Sequence, residues 1–541
     1  MRSASPCPAP IRSWPLRDAD HLLIRSASMV ALEQQLFDSG LPVASLMEKA
    51  ALAISARLLA EPPAAAVVLV GPGHNGGDGL VVARELHLAG IPVRIWTPFA
   101  RHKPLTEAHL RHARWLGIPL LEEAPDPADP ALWIDALFGI GQHTPPGEEI
   151  ELSLGERQQR SAGRLEAIDV PTGLCADSGR ALGNLAATAR RTWCLGLWKQ
   201  GLVQDEALRW VGRLERIDLA LPEPLLACLD RETPLALTAL DRGSAPWPAL
   251  DPAAGKYQRG RLLVVAGSRR FRGAAHLALK GASASGCGSL RAALPSELAD
   301  QLWSVHPHVV LLPPLGSNRS GGLELAGLQQ DWLDRLDAVV LGPGLGPGEE
   351  GQGQTRLPEE ERWRELREFR GLLVLDADGL NRLAALRQVG VDPIAWLRQR
   401  GGPTWLTPHA GEFARLFPAW ADRQALEATA AAAEASGACV LRKGARSVIA
   451  SPDGRLWQLR EAAPVAARAG LGDVLAGYAA GRGALALAAD GGNGSSLDGA
   501  LLAAAALDHA TAGQTAWTAH GAGGASPMAI SEALAQLAEG G

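Results

Sequence analysis

The chain has 541 residues, 47% of them hydrophobic, and a formal net charge of −6, which is more length than one typical domain needs and enough apolar material for two large cores. That charge balance gives no general attraction for polyanions, so neither nucleic acid nor an anionic membrane is an expected partner. Six cysteines without any Cys-x-x-Cys spacing argue against a disulfide framework and a structural zinc site, and for a cytoplasmic protein.

The first residues, MRSASPCPAPIRSWPLR, are basic and lack the apolar segment of a secretory signal, so they read as an extension. No uninterrupted apolar run approaches the roughly 20 residues that cross a bilayer. After the helical text SASMVALEQQLFDSG and ASLMEKAALAISARLLA, apolar runs at 65–70, 93–97, 132–137, 165–170 and 192–197 alternate with amphipathic segments. Such alternation predicts a mostly parallel sheet covered on both faces, with ligands at the carboxyl ends of its strands. Polar loops fall at those ends: GPGHNGGDGL at 71–80, DALFGIG at 135–141 and DVPTG at 169–173. The first has the glycines of a phosphate loop but no lysine, and offers His74, Asn75 and Asp78 instead. Asn75, Asp135 and Thr172 supply side-chain oxygens of the kind a hard cation prefers. Asp78 reads equally as a helix cap or a chemical group. His21, His87, His109 and His112 lack a partner at metal spacing and read as surface or capping residues.

From 222 to 255 the pattern dissolves into proline-rich text. The expected division is therefore an N-terminal domain over 1–222, a linker over 223–255 and a C-terminal domain over 256–541. Strand-like runs resume at 261–266, 309–312, 338–341, 372–375, 404–406 and 440–442, and the charged stretch 352–369 reads as a solvated helix or an insertion. Near the end, AGLGDVLAG at 469–477 opens a helix. Its free N–H groups favour an anion, and phosphate is the obvious one. Asp473 at that helix start would repel a resting phosphate but could take a proton from a hydroxyl attacking one, as in a small-molecule kinase; the bland alternative is an N-cap.

The neighbours of this loop add to the reading. LGPGLG at 341–346, LDADGLN at 375–381, LTPHAGEFARL at 406–416 and LRKGARSVIASPDGRL at 441–456 together resemble the ribokinase superfamily, and within it the ADP- or ATP-dependent NAD(P)H-hydrate dehydratases, over roughly residues 240–515. The resemblance implies that Ala274, Gly346, His409 and Asp473 contact the hydrated nicotinamide nucleotide, with Asp473 catalytic. It further implies that Lys443, Gly444, Ala445, Arg446, Ser447 and Gly472 line ADP or ATP, carried with Mg2+. There are departures: Leu471 stands where these dehydratases usually carry Thr or Ser, His306-Pro307-His308 replaces a Pro-Glu, and EAAPVAARAG at 461–470 keeps little of the usual text. A missing hydroxyl at 471 predicts one phosphate donor fewer, so that Leu471→Thr would raise turnover.

The N-terminal texts GPGHNGGDGL, DALFGIG and AIDVPTGL resemble the NAD(P)H-hydrate epimerase family over roughly residues 20–220, with His74 in place of the first Asn of its motif. That resemblance implies K+ on Asn75, Asp135 and Thr172. It places the hydrated cofactor on His74, Asn75, Gly76, Gly77, Asp78, Gly139, Ile140, Gly141, Gln142, His143, Thr144, Pro145 and Asp169, with Asp169 as the acid/base. The implied fold is α/β: two doubly wound domains, the first Rossmann-like and the second ribokinase-like. The implied activity is that of a bifunctional repair enzyme: it epimerises the R and S forms of NADHX and NADPHX, then dehydrates the S form to NAD(P)H at the expense of ADP or ATP. A homo-oligomer of such chains is expected. The alternative is a kinase of a small vitamin-type alcohol fused to a non-catalytic Rossmann-like binding module; the retained Asn75, Asp135, Asp169 and Thr172 speak against it.

Overall fold

The structure is a computed structural model that describes residues 14–249, 251–348, 357–462, 467–491 and 497–538. It divides into two compact units, one of residues 17–233 and one that begins at Pro234 and takes in Trp14–Leu16. The side chains show why the division falls there. Trp14 donates from Nε1 to the Asp241 carbonyl at 3.1 Å and accepts from Trp457 Nε1 at 3.0 Å, within the second unit. Arg17 instead donates to the carbonyl of Asp230 at 2.7 Å, within the first. Residues 223–255, expected as linker, contain the helix Glu223–Ala227, a strand at Leu235–Leu237 and a 3-10 turn at Ala239–Ser244 closed by a Thr238–Asp241 capping box.

In the first unit the strands are β1 Leu23–Ile24, β2 Ala66–Val70, β3 Val93–Trp96, β4 Leu120–Leu121, β5 Leu132–Ala136, β6 Leu165–Ile168, β7 Arg191–Leu195, β8 Trp198–Lys199 and β9 Arg213–Ile217. Seven of them form a wholly parallel sheet in the order β4-β3-β2-β5-β6-β7-β9, and β1 pairs with β8 beside it. Side chains alternate across the sheet. Val67, Leu69, Trp133 and Ala167 pack with Ile150 and Leu154 of the helix Glu148–Arg160. Val68 and Ala136 face the helix His74–Leu88, where Gly79 leaves no room for a Cβ against them. The HNGGD text is thus the first turn of that helix rather than a free loop, its N-cap is Gly73, and Asp78 lies inside it, so Asp78 is no cap.

The second unit carries β10 Leu235–Leu237, β11 Arg261–Val265, β12 Ser289–Ala293, β13 Val310–Leu311, β14 Ala338–Leu341, β15 Leu372–Leu375, β16 Thr404–Leu406, β17 Cys439–Arg442, β18 Val448–Ala450 and β19 Leu456–Leu459. They form one sheet in the order β10-β19-β18-β17-β16-β15-β14-β11-β12-β13. Only the hairpins β17-β18 and β18-β19 are antiparallel. The helix Leu357–Glu368 is no purely solvated element: Trp363 and Leu366 are buried in the core with Phe413 and Phe417, while 352–356, the start of that charged stretch, lie outside the described residues. Across the sheet, the helix Leu471–Ala489 is buried nearly all round, as a central helix must be. It packs in parallel on the helix Arg272–Ala284, close enough that a Cβ on Gly477 would strike the Ala278 carbonyl and one on Gly281 the Val474 carbonyl. Among the described residues no helix is long and apolar enough to cross a membrane.

Candidate functional site

In the first unit the polar residues gather at the carboxyl ends of β2, β5, β6 and β7. Asp135, on β5, is fully buried. Its carboxylate accepts from the Thr172 amide at 2.8 Å, the Thr172 hydroxyl at 2.7 Å and the Leu137 amide at 3.2 Å. Burial pushes it up to about 6, against the pull of those hydrogen bonds. Asn75, in the first helical turn, donates to the Ile168 carbonyl at 3.3 Å. Its Oδ1 is buried without a hydrogen-bond partner, an orphaned acceptor of the kind a cation satisfies. Of the three residues the sequence singled out for a cation, Asp135 and Thr172 are bonded to each other, and Asn75 reaches the end of the neighbouring strand β6.

Asp169 follows β6 with a left-handed φ of 67°, a conformation that costs about 1–2 kcal/mol for a non-glycine residue. Its side chain explains the persistence of that strain. It accepts from the amides of Ile140 at 3.2 Å and Leu195 at 3.4 Å and from Lys199 Nζ at 2.5 Å. Lys199, on β8, is itself buried and also donates to the Leu195 carbonyl. Burial lowers its pKa, but the charges of Asp169 and Cys194 outweigh this and the net direction is upward. Gly139 fits over the pair because a Cβ there would lie 2.9 Å from Asp169 Oδ2.

Two more carboxyls face this ion pair. Glu33, from the helix Ser26–Asp38, is pushed up to about 7 by burial and by Asp169, with Lys199 opposing. Asp78 is pushed well above the usual range by burial and then by the charges of Asp169 and Glu33. Sequence reasoning missed both Lys199 and Glu33. The remaining expected residues divide by exposure: Gln142 is buried and ties the loop, accepting from the Gly173 amide at 2.8 Å and donating to the Thr144 carbonyl at 3.0 Å. Gly141, His143, Thr144 and Pro145 are exposed at the rim, with His74, Gly139 and Ile140 partly so, whereas Gly76 and Gly77 are buried in the helix start.

The second unit builds a site on the same principle. Asp376, at the end of β15, is buried and accepts from the Thr407 hydroxyl at 2.8 Å and from Lys443 Nζ at 2.6 Å. Glu412 lies 3.8 Å from the same ammonium. His409 caps the helix Ala410–Leu416: its Nδ1 accepts from the amides of Gly411 and Glu412, which assigns its proton to Nε2, and the Glu412 carboxylate accepts from the His409 amide at 2.8 Å. Gly346 donates from its amide to Asp378 at 2.8 Å. Ala274 stands against Gly344 of the same loop.

Asp473 is the third residue of its helix, whose N-cap is Gly470, so it is no cap either. Burial and the charge of Asp376 push it up to about 7, with Lys443 pulling the other way. Gly472 brings the two together, since a Cβ there would stand 3.1 Å from Lys443 Nζ. Ser447 is within 3.3 Å of both the amide and the carbonyl of Gly444 and so shapes the 443–447 turn. Asp376, Thr407 and Glu412 lay inside stretches that the sequence analysis quoted, yet were given no role; an acid at a strand end was the signal available.

The departures also find places. Leu471 is 7% exposed, so it packs into the protein at the helix start, and Leu471→Thr removes buried apolar surface besides adding a hydroxyl. The expected result is a lower Tm, from a loss of about 1–3 kcal/mol, with the nucleotide KM unchanged; differential scanning fluorimetry and steady-state kinetics check it, and a higher kcat at unchanged Tm would restore the hydroxyl argument. His306 is 1% exposed and its Nε2 lies 3.0 Å from His276 Nδ1. Burial, with its His276 and His308 neighbours, pushes it down to about 4. It is a neutral packing residue that ties the segment before β13 to the helix Arg272–Ala284.

A family model described as NAD(P)H-hydrate dehydratase matches residues 262–536, and one described as YjeF-related protein N-terminus matches residues 43–201. The chain is 43% identical over 465 residues to a bifunctional NAD(P)H-hydrate repair enzyme of Gloeobacter violaceus, covering 84% of this chain and 87% of that one. It is 41% identical over 466 residues to the enzyme of the same description from Synechocystis, covering 85% of each. Among solved structures, an ADP/ATP-dependent NAD(P)H-hydrate dehydratase from Bacillus subtilis, co-crystallized with ATP/Mg2+, is 24% identical with a TM-score of 0.43, covering 56% of this chain and 96% of that one. On the sequence relatives, which span both units, the chain belongs to the family of bifunctional NAD(P)H-hydrate repair enzymes.

Proposed function

We propose that the first site interconverts the R and S forms of NADHX and NADPHX, and that the second dehydrates the S form to NAD(P)H with ADP or ATP as the phosphoryl donor. The observation that carries the reading is Asp473, a carboxyl pushed up to about 7 at the start of a helix and set beside Lys443. A group of that pKa both accepts and releases a proton near neutral pH.

In the first site, the hydrated ring bears its hydroxyl on the carbon beside the ring nitrogen. The nitrogen lone pair expels that hydroxyl as an acid protonates it, and return of water to either face gives either epimer. Asp169, held by Lys199 and two amides, is the group that moves the proton, giving it to the departing hydroxyl and taking it back from the returning water. Glu33 and Asp78, both raised by burial, hold their protons more tightly than free carboxyls and stand beside it. K+ fits the orphaned Asn75 Oδ1, the buried Asp135 carboxylate and Thr172. When bound it would supply a fixed positive charge that favours an anionic substrate group nearby. If these residues hold it, Asp135→Ala abolishes thermal stabilisation by K+ and weakens epimerisation together. A K+ titration of Tm decides this; stabilisation retained in the variant would exclude the site.

In the second site, hydroxide is a poor leaving group and phosphate a good one. Asp473 takes the proton of the ring hydroxyl as it attacks the terminal phosphoryl group; the resulting phosphate leaves, and loss of the adjacent C–H proton restores the dihydropyridine. Lys443, between Asp376 and Glu412, and the amides at the start of the helix Leu471–Ala489 meet the charge on the phosphoryl group in flight. With ADP as donor the products are AMP, phosphate and NAD(P)H, and Mg2+ travels with the nucleotide phosphates. A cytoplasmic location and assembly into homo-oligomers accord with such a metabolite-repair role. Incubation with mixed hydrates, with and without ADP or ATP, followed by the dihydronicotinamide absorbance, tests the reading: recovery of NAD(P)H only with nucleotide supports it, and accumulation of a stable phosphorylated product refutes it.

A further inference from the structure

We propose that the dehydratase site selects NADPHX over NADHX, through an arginine-rich wall that takes the extra 2′-phosphate. This rests on the reading of the second site as the one that binds the hydrate. The connection from β11 to the helix Arg272–Ala284 reads Ser268-Arg269-Arg270-Phe271-Arg272-Gly273. It lies directly against the GPGLG loop. The Gly267 amide donates to the Pro343 carbonyl at 2.8 Å. A Cβ on Gly344 would stand 2.6 Å from Ala274 Cβ and 2.8 Å from Phe271 Cβ, and one on Gly346 would stand 3.4 Å from Ser268 Oγ. The arginines are therefore part of the cleft wall that includes Ala274 and Gly346.

Its orientation toward the chemistry follows from the helix packing. Leu277 lies against Gly470, and Gly281 against Val474 one turn further on, so the two helices run in parallel and begin at the same end. The start of the helix Arg272–Ala284 therefore lies at the same end of the packed pair as Gly470–Asp473. A fourth guanidinium comes from Arg319, exposed in the turn 317–322, where Gly322 meets Gly346 and Asn318 donates to the Pro347 carbonyl at 3.0 Å.

The partners of these groups show which are free for a ligand. Arg382, nearby but buried, is spent on the carbonyls of Leu323, Leu345, Gly346 and Pro347. Arg269 pairs with Glu297 at 3.0 Å, and Arg272 donates to the Arg269 carbonyl and also lends its charge to Glu297. Arg270 leans over the Phe271 ring at 5.3 Å. Among the described residues neither Arg270 nor Arg319 has a carboxylate partner. Solvated guanidinium groups on one wall match a phosphate monoester, which carries about −1.5 to −2 charges at pH 7 and accepts paired hydrogen bonds. On this proposal a dinucleotide whose ring hydroxyl meets Asp473 lays its adenosine ribose against that arginine wall. The 2′-phosphate is the one group that distinguishes NADPHX from NADHX there.

The test compares steady-state kinetics on pure (S)-NADHX and (S)-NADPHX, using the full chain and the variant Arg270→Gln/Arg272→Gln, with Arg319→Gln alongside. Wild type is expected to show a KM about tenfold lower for NADPHX, a difference that one good phosphate contact provides. The double variant raises that KM about tenfold and leaves kcat, the NADHX KM and the ADP KM within about twofold. Equal wild-type KM values overturn the proposal, as does an equal rise for both hydrates, which would put the arginines on the shared pyrophosphate. A rise confined to ADP overturns it too, by moving them to the donor. Calorimetric titration with NADPH and NADH gives a readout without turnover. If folded wild type dehydrates neither hydrate, the reading of the site falls; if it dehydrates both with equal KM, only the selectivity falls.

Discussion

Asp473→Asn is expected to abolish dehydration while leaving R/S interconversion intact. The amide cannot accept the hydroxyl proton, and loss of a positioned general base costs about 10²–10⁴-fold in rate. On the proposed reading epimerisation uses Asp169, which belongs to a different sheet. The pH dependence follows from the raised carboxyl: with its pKa at about 7, wild-type kcat falls as pH drops below that value, because the base becomes protonated. The stability effect has the opposite sense for the variant. Folded Asp473 holds its proton more tightly than the unfolded chain does, so its ionisation in the folded site lowers stability as pH rises from about 4 toward 7. Asp473→Asn removes that penalty, and its Tm should exceed that of wild type at pH 8 and approach it at pH 4. Chromatography of the epimers, the 340 nm recovery assay and Tm at both pH values check the three statements. Equal loss of both activities in a folded variant would sink the two-site reading.

The second large effect is expected at Lys199. Lys199→Met leaves Asp169 buried, with 6% exposure, and without its cation, a change that costs about 3–5 kcal/mol in comparable buried pairs. Epimerisation should fall with it, because Asp169 loses the ammonium that holds its carboxylate in place. The double variant Asp169→Asn/Lys199→Met separates structure from chemistry. It removes both charges, so its Tm should recover much of the loss, while epimerisation stays absent and the ADP-driven dehydration of pure S hydrate continues. A single Lys199→Met variant with full epimerase activity would show that the ion pair only secures the fold.

The sequence by itself determined the class of fold and the place of the chemistry. Alternating apolar runs predicted the parallel strands, and glycine-bounded polar loops marked their carboxyl ends, where Asn75, Asp135, Asp169, Lys443 and Asp473 all lie. Those features are legible because they are local: strand and helix periodicities and turn residues act within a few positions. Several short elements escaped for the matching reason. β10, β12, β18 and β19 carry three to five residues each and hold their places through neighbours in the sheet, and the charged stretch around 357–368 hid Trp363 and Leu366, which only packing reveals.

Tertiary structure alone decided the electrostatics. Lys199 meets Asp169 across 30 positions, and Lys443 meets Asp376 across 67. Glu33 reaches the first site from a helix that precedes every strand of the main sheet. Residue type names the charge a side chain can carry, but its pKa depends on burial and on which other charges the strand order brings within a few ångströms. The orphaned Asn75 Oδ1 has the same origin, since an amide oxygen lacks a partner only once the surrounding backbone has closed over it.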